Sequence, residues 1–528
     1  MFGQNQKPAT NPVPKLVVGI IVDQMRYDYI YRYWEKYETD GFRRLVNEGF
    51  FCKNTNYNYA PTYTGPGHAS VYTGTTPSIN GIAGNNWYSR DENKYVYCSE
   101  DKTVQTIGST SLAGQMSPGN LLTTTIGDQL RLSSNMKSKV IGVALKDRGA
   151  ILPAGHSANA AYWFDDVSGN WITSSYYMNA LPDWVKVFNE KKIWNDYLNK
   201  PWSTFFPVNQ YTESLSDNNK YEGSGRDSIN PVFPYDLPQM KKKFGAGIIR
   251  NTPFGNSFTK DFAMETIKAE NLGKGPSTDF LCLSFSSTDY IGHLYGPQSI
   301  EVEDCYIRLD KDIADLIKFL DTWVGKNNLL LFLTADHGAI EVPAYLTDLK
   351  IPSGYAGFGS DIDSLKKIFN TKYGDSLILS FTNQQVYLNQ KTIEEKKINK
   401  AEVEDFIAAF FIKKQGVAQT ITSTSFKNSS FSDRPRMLIQ NGFNIKRSGD
   451  VMLNFEPGWV EYGKTGTTHG SPYSYDTHVP LIFYGGLIKT GSTVSEVSIT
   501  DIAPTVSLLL NIQFPDGNTG KPIPEIFK

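Results

Sequence analysis

Five stretches of the chain are almost purely apolar over five to seven residues. They are Leu16-Val-Val-Gly-Ile-Ile-Val22, Val140-Ile-Gly-Val-Ala-Leu145, Phe280-Leu-Cys-Leu-Ser-Phe285, Leu329-Leu-Leu-Phe-Leu333 and Val479-Pro-Leu-Ile-Phe-Tyr484. Runs of this length without polar alternation fit strands covered on both faces, so the sheet they form must lie between other layers. Between Phe285 and Leu329, Val302, Tyr306, Leu309, Ile313, Leu316 and Leu320 recur at spacings 4-3-4-3-4, the period of one helix face. A second helix is expected after Asp501, through Ile502, Val506 and Leu509, with Pro504 in its first turn. Buried strands alternating with helices predict an α/β fold around a mostly parallel sheet with helices on both faces.

A chain of 528 residues can build one large core with insertions, or two to three domains. Two regions break the strand–helix rhythm: about 151–262, rich in Tyr, Trp, Pro and Asn, and about 341–449, which mixes short helices with hairpin-like pieces. We read one domain over 13–528, with its core at about 13–150, 263–340 and 450–528 and these two regions inserted as caps. Net charge is −2, so no cationic field favours nucleic acid as a specific partner, and an anionic substrate must be drawn in by local cations. No apolar run approaches the ~20 residues of a membrane span. The start, Met1 to Pro14, is polar and lacks the apolar segment of a signal peptide, which leaves a cytosolic protein or one whose signal has been removed. Cys52, Cys98, Cys282 and Cys305 have no CxxC spacing. Cys282 and Cys305 read as core residues; Cys52 and Cys98 stand in more polar surroundings and can pair in an oxidising compartment.

In open α/β sheets ligands bind at the carboxyl ends of the strands. Asp23, Lys146, Asp289 and Asp336 all fall at or just past such ends. The chain has only six histidines, and three sit in short motifs of the same kind: Thr288-Asp289-Tyr-Ile-Gly-His293, Ala335-Asp336-His337-Gly338 and Gly466-Thr-Thr-His469-Gly470. Asp289 and His293, four apart, share a face if the chain turns helically, and His469 can complete a three-ligand site. Asp336 and His337 converge if Gly338 turns the chain, and Asp23 can add a third ligand. Two such sites keep open positions, as catalytic metals require, and mixed imidazole and carboxylate donors suit zinc. Any one of these histidines alone is an ordinary hydrogen-bonded core residue. Their shared placement is what argues for a two-metal hydrolase.

For a nucleophile, Tyr63-Thr64-Gly65-Pro66-Gly67-His68 places Thr64 at the N-cap of a helix that runs to Tyr72 and stops at Gly74. Free N–H groups and the helix dipole there favour an alkoxide and a bound phosphate. Alone, Thr64 is an ordinary cap. His68 reads as structural, and His478 as packing or orienting.

The ordered motifs Val22-Asp23-Gln-Met-Arg26, Thr64-Gly-Pro-Gly-His68, Gly84-Asn85-Asn-Trp-Tyr88, Thr288-Asp289-x3-His293, Ala335-Asp336-His337-Gly338, Gly466-Thr-Thr-His469 and Asp501-Ile-Ala-Pro-Thr505 resemble the alkaline phosphatase superfamily over nearly the whole chain. Leu145-Lys146-Asp-Arg148 is similar to its phosphate-irrepressible bacterial monoesterases. The resemblance implies an alkaline-phosphatase-like sandwich with two Zn2+ per chain. It assigns Asp289, His293 and His469 to one zinc, and Asp23, Asp336 and His337 to the other with the Thr64 oxygen as a further ligand. Thr64 would be the nucleophile, and Asn85, Lys146 and Arg148 would hold phosphoryl oxygens. The implied protein is a monomeric, periplasmic or secreted phosphomonoesterase acting on small phosphate monoesters through a phosphothreonine intermediate. A phosphodiesterase or nucleotide pyrophosphatase of the same superfamily is the nearest rival, and a sugar- or peptide-binding protein on an inert scaffold the more distant one. No Cys-x-Pro-x-Arg stretch of the sulfatase kind is present, and no third-metal cluster is evident.

Overall fold

Every apolar run forms a strand in the computed structural model, which describes residues 13–224 and 230–527; most of the polar start lies outside them. The principal strands are β1 (Leu16–Val22), β2 (Phe50–Asn56), β3 (Val140–Ala144), β4 (Ala160–Asp165), β5 (Asn170–Ser174), β6 (Asp279–Phe285), β7 (Leu329–Thr334) and β8 (His478–Gly485). They lie side by side as β2-β8-β7-β1-β6-β3-β4-β5, with short strands completing both edges. The central five, β7 to β4, are mutually parallel. β8 is antiparallel to both β7 and β2, so the last apolar run enters the sheet in the opposite sense to the other four. β1, β6 and β7 are buried along their whole length, as unalternating runs require.

Six helices matter for the site: α1 (Thr64–Thr73), α2 (Asp147–Ala154), α3 (Phe254–Ala269), α4 (Ser287–Tyr295), α5 (Ile300–Trp323) and α6 (Ile502–Leu510). α5 and α6 are the two helices read from periodicity. Ser299 caps α5 by accepting the Val302 amide at 3.2 Å. α1 begins one residue earlier than expected. Tyr63 is its N-cap and Thr64 its first helical residue, so the Thr64 hydroxyl is not spent on a cap. Gly74, at φ +67°, ends the helix in the left-handed conformation that favours glycine.

The two irregular regions differ from each other. β4 and β5 lie within 151–262 yet extend the central sheet, because Ala160-Ala-Tyr-Trp-Phe pairs in parallel with β3. Aromatic bulk hid this run among the loop-like stretches around it. The second region builds an antiparallel sheet of its own from Ile378–Thr382, Gln385–Leu388, Val417–Thr422 and Val451–Phe455. Leu365, Val386, Ile407, Phe411 and Val451 form a separate apolar core there. All four cysteines are free and buried, so the Cys52–Cys98 pairing is absent. Cys52 sits in the main core on β2, whereas Cys98 packs with Trp87, Leu121 and Leu152.

Register aligns the strand ends. Val22 lies opposite Phe285, Ile21 opposite Thr334, and Ala144 opposite Ser284. The residues that follow β1, β3, β6 and β7 therefore emerge along one edge. Antiparallel β8 brings its beginning, and the loop before it, to the same place.

The packing under this edge is tight at Gly142 on β3, where an added Cβ would meet the Ala150 carbonyl oxygen of α2 at 2.1 Å. Gly142→Val should wedge β3 from α2 and lower unfolding free energy by about 1–3 kcal/mol, as overpacking does. Chemical denaturation checks this, and the loss should come as a lower midpoint with an unchanged slope.

A candidate metal centre at the carboxyl edge of the sheet

Three carboxylates and three imidazoles converge where the strands end. Asp23 directly follows β1, and its N–H donates to the Phe285 carbonyl at 3.0 Å. Asp289 and His293 lie one turn apart on α4, with His293 Nε2 at 3.2 Å from Asp289 Oδ1. His469 Nε2 lies 3.7 Å from the same oxygen. On the other side, His337 Nε2 lies 3.6 Å from Asp23 Oδ1 and 3.5 Å from Asp336 Oδ2. The His337 and His469 rings stack at 3.4 Å, so the two groups adjoin.

The proton of each imidazole can be assigned from its partner. His293 Nδ1 faces the Thr467 carbonyl at 2.7 Å, His337 Nδ1 the Gly338 carbonyl at 2.9 Å, and His469 Nδ1 the Thr62 carbonyl at 2.7 Å. A carbonyl only accepts, so each Nδ1 carries a hydrogen. Nε2 of His337 and of His469 can then turn a lone pair inward, whereas at His293 the Asp289 charge outweighs burial and draws a proton to Nε2. This is the arrangement by which outer groups orient metal-binding histidines. His68 contrasts: Nδ1 faces the Thr64 carbonyl at 2.9 Å and Nε2 the Ser284 hydroxyl at 2.8 Å, so both nitrogens are used within the fold.

Asp23 Oδ1, Asp336 Oδ2 and His337 Nε2 are buried and have no hydrogen-bond donor. Three acceptors facing one another in a dry site leave their lone pairs unanswered, which costs free energy unless a cation lies among them. Charge leads to the same place. Lys146 Nζ lies 2.5 Å from Asp23 Oδ2 and 2.5 Å from Asp289 Oδ2, one ammonium among three carboxylates. Burial pushes the Asp23 carboxyl up, with the Asp289 charge adding to it; burial and the Asp23 charge push Asp336 up further. Asp289 feels the same burial, but His293 and Lys146 hold it well below the usual range. Burial lowers His337, and lowers His469 to about 3, so both imidazoles are neutral and able to act as ligands. These donors fit a divalent cation. Two sets have ligand atoms all within 4.8 Å of one another: Asp289, His293 and His469, and Asp23, Asp289 and His337. Asp289 thus stands between the sets, and Asp336 borders the second through His337.

The remaining sequence candidates flank this centre. Thr64 opens α1, 1% exposed. Gly67, in the same turn, approaches so closely that a Cβ would meet the Asp336 carbonyl oxygen at 2.5 Å. Asn85 Oδ1 accepts the Gly65 N–H at 2.7 Å, which leaves the Asn85 amide nitrogen available as a donor. Lys146 is buried against the carboxylates rather than free at a pocket mouth. Arg148 is held by the Tyr97 hydroxyl at 3.0 Å, and its Nε has no acceptor. His478 stacks on Tyr27 at 4.0 Å and takes no part in the centre.

Several residues escape a reading by motif. Gln24, at φ +60°, donates its N–H to Asp336 Oδ1 at 3.0 Å and its side-chain amide to Asp289 Oδ1 at 2.9 Å, bridging the two sides. Asp476 Oδ2 accepts the Gly470 and Ser471 amides at 3.0 and 2.7 Å, which fixes the loop carrying His469. The second sheet reaches in with the hairpin turn Asn383-Gln384. Gln384 accepts the Tyr63 hydroxyl at 3.1 Å, and Asn383 donates to the Asn86 carbonyl at 2.7 Å. Gln24 stands inside the Val22–Arg26 motif, but its role, like those of Asp476, Asn383 and Gln384, depends on where the fold puts its partners.

Comparison with known proteins agrees with this geometry. The family model for type I phosphodiesterase / nucleotide pyrophosphatase matches residues 17–479. The chain is 48% identical to a protein named calcium-transporting ATPase from Myroides odoratus, over 97% of this chain and 94% of that one. It is 45% identical to alkaline phosphatase PafA from Elizabethkingia meningoseptica, over 99% of this chain and 96% of the relative. The crystal structure of wild-type PafA superposes with a TM-score of 0.95, covering 98% of this chain and all of that one. The chain therefore belongs to the type I phosphodiesterase / nucleotide pyrophosphatase family. A solved PafA variant carries Thr→Ser, Asn→Ala, Lys→Ala and Arg→Ala substitutions; its Thr and Asn stand 21 positions apart and its Lys and Arg two apart. Thr64 and Asn85, and Lys146 and Arg148, have those spacings here. Within the family, its kinship is with the PafA-type alkaline phosphatases.

Asp476→Ala should free two loop amides and loosen His469 without removing a donor. Metal affinity, read by competition with a chelator, is expected to fall about 10–100-fold while the fold persists, the effect of losing an outer partner.

Proposed function

We propose that the protein hydrolyses phosphate monoesters with two zinc ions, using Thr64 as a nucleophile that forms a phosphothreonine intermediate. The observation that carries this is the set of unanswered buried acceptors, Asp23 Oδ1, Asp336 Oδ2 and His337 Nε2, beside the N-terminus of α1. Asp289, His293 and His469 would hold one zinc; Asp23, Asp336 and His337 would hold the other with the Thr64 oxygen. Bound zinc would supply Lewis-acid charge to the entering and leaving oxygens. The chain's own residues do the rest. Thr64 gives up its hydroxyl proton as Oγ1 bonds to phosphorus, the ester P–O bond breaks and its oxygen leaves with a proton as the alcohol. Water oxygen then bonds to phosphorus, the Thr64–phosphate bond breaks, a water proton restores the Thr64 hydroxyl and inorganic phosphate is released. Charge on the equatorial oxygens would fall to the Asn85 amide, the Lys146 ammonium and the Arg148 guanidinium. The first turn of α1 adds its amides and dipole.

The family resemblance supports an exported enzyme, periplasmic or secreted, acting as a monomer on small phosphate monoesters. Among the described residues no helix is long and apolar enough to cross a membrane. Phosphodiester cleavage is the second reading, because the same donors can serve either ester and the matching family model is named for phosphodiesterases and nucleotide pyrophosphatases.

Thr64→Ala should keep about two zinc per chain by elemental analysis yet lose several orders of magnitude in kcat/KM, because the covalent route disappears. Acid quench of the wild type should trap phosphate on Thr64; phosphate on any other residue refutes the mechanism.

A monoester dianion brings one more charge than a diester, and Lys146 and Arg148 are the cations placed to meet it. Removing both (Lys146→Ala with Arg148→Ala) should cut kcat/KM for the monoester tenfold or more per lost charge-assisted bond, about 1.5–3 kcal/mol each, and that for a diester far less. Equal losses would show that the pair does not select monoesters.

A further inference from the structure

Lys146 stands just past the end of β3 on a flexible stem, and two kinds of contact hold its tip. Nζ lies 2.5 Å from Asp23 Oδ2 and 2.5 Å from Asp289 Oδ2. It also lies over the Tyr290 ring, 5.0 Å from the centroid, where the negative face of the ring attracts an ammonium. Tyr290 belongs to α4 and sits between Asp289 and His293.

The ring is fixed from its far side. Arg250, in the helical turn Ala246–Asn251 that precedes α3, donates from Nη1 to the Tyr290 hydroxyl at 3.0 Å. Arg250 is in turn tied to the end of β4. Its Nη2 donates to the Phe164 carbonyl at 2.6 Å, and its Nε lies 2.6 Å from Asp166 Oδ1. The Phe164 N–H donates to the carbonyl of Leu145, the residue before Lys146, at 3.4 Å. The path from Lys146 through Tyr290 and Arg250 therefore closes on the backbone beside the lysine itself.

The two kinds of contact respond differently to a bound cation. Asp23 and Asp289 are candidate metal ligands, and a metal that takes their lone pairs both competes with the ammonium and repels it. The neutral ring keeps its attraction. We infer that Tyr290, anchored by Arg250, is a positioning residue that holds the Lys146 ammonium in place once those carboxylates serve metal. The inference rests on the proposed role of Lys146 toward a phosphoryl oxygen. A lysine stem has many rotamers, and one left without a hold would lose that freedom each time a phosphoryl group bound.

The test uses the full chain loaded with zinc. Tyr290→Leu removes the ring and should lower kcat/KM for a phosphate monoester about five- to thirtyfold, the range of a cation–π contact, with zinc content unchanged. Tyr290→Phe keeps the ring and should recover most of that loss. In a chain already carrying Lys146→Ala, Tyr290→Leu should cost almost nothing further, because the two side chains act as one unit. The contact is also read without turnover, from the ε-methylene proton signal of Lys146 in protein made with isotope-labelled lysine, assigned by its loss in Lys146→Arg. The ring face shifts that signal upfield; Tyr290→Leu should move it downfield, and Tyr290→Phe should leave it in place. A signal indifferent to Tyr290→Leu overturns the inference, and so does a Tyr290→Leu loss that persists in full beside Lys146→Ala. Undiminished monoester activity in Lys146→Ala alone would instead refute the phosphoryl role of Lys146, with the ring contact still decided by the proton signal.

Discussion

An imbalance of buried charge governs this molecule. Asp23, Asp289 and Asp336 stand at the ends of three adjacent parallel strands, and Lys146 is the ammonium placed between two of them. No arrangement of main chain alone would hold three carboxylates so close, because each raises the cost of ionising the next. The fold meets that cost with directed hydrogen bonds. Gln24 reaches two of the carboxylates from a left-handed backbone position, and three backbone carbonyls set the histidine tautomers. The tight approach of α1 at Gly67 and the crossing at Gly292, where a Cβ would meet Gln24 Oε1 at 1.9 Å, follow from the need to close this space. Divalent cations complete the balance in the proposed enzyme.

Much of this was legible because the chemistry is concentrated in short motifs at strand ends. A run such as Leu329–Leu333 declares a buried strand by composition, and Ala335-Asp336-His337-Gly338 declares what stands at its end. The direction of β8 was not legible, since an apolar run reads the same in either sense and only pairing with β2 and β7 fixes it. β4 is not legible in the sequence, because Tyr162 and Trp163 read as loop aromatics and only their parallel pairing with β3 makes them a strand. Thr64 was placed one residue off because cap and first helical residue differ by backbone angles that composition does not encode. Gln24 and Gln384 were invisible for another reason: a glutamine acquires its role only from partners distant in sequence.

The second sheet is more than a cap beside the core. Its hairpin turn Asn383-Gln384 contacts the chain on both flanks of the proposed phosphoryl site, at Tyr63 before Thr64 and at Asn86 after Asn85. A separate apolar core gives that turn a stable base. Thr64 and Asn85, the proposed nucleophile and amide donor, are thus braced from a body that carries none of the candidate metal ligands.

The ligand set spans the chain from Asp23 to His469, and β8, which anchors the last loop, enters the sheet between β2 and β7. A partial chain made from the amino end lacks part of this candidate set until His469 has been added. Until then the acidic strand ends lack His469 and the loop that carries it. The sheet closes around β8, a strand late in the sequence, so the candidate centre is complete only when that strand lies between β2 and β7.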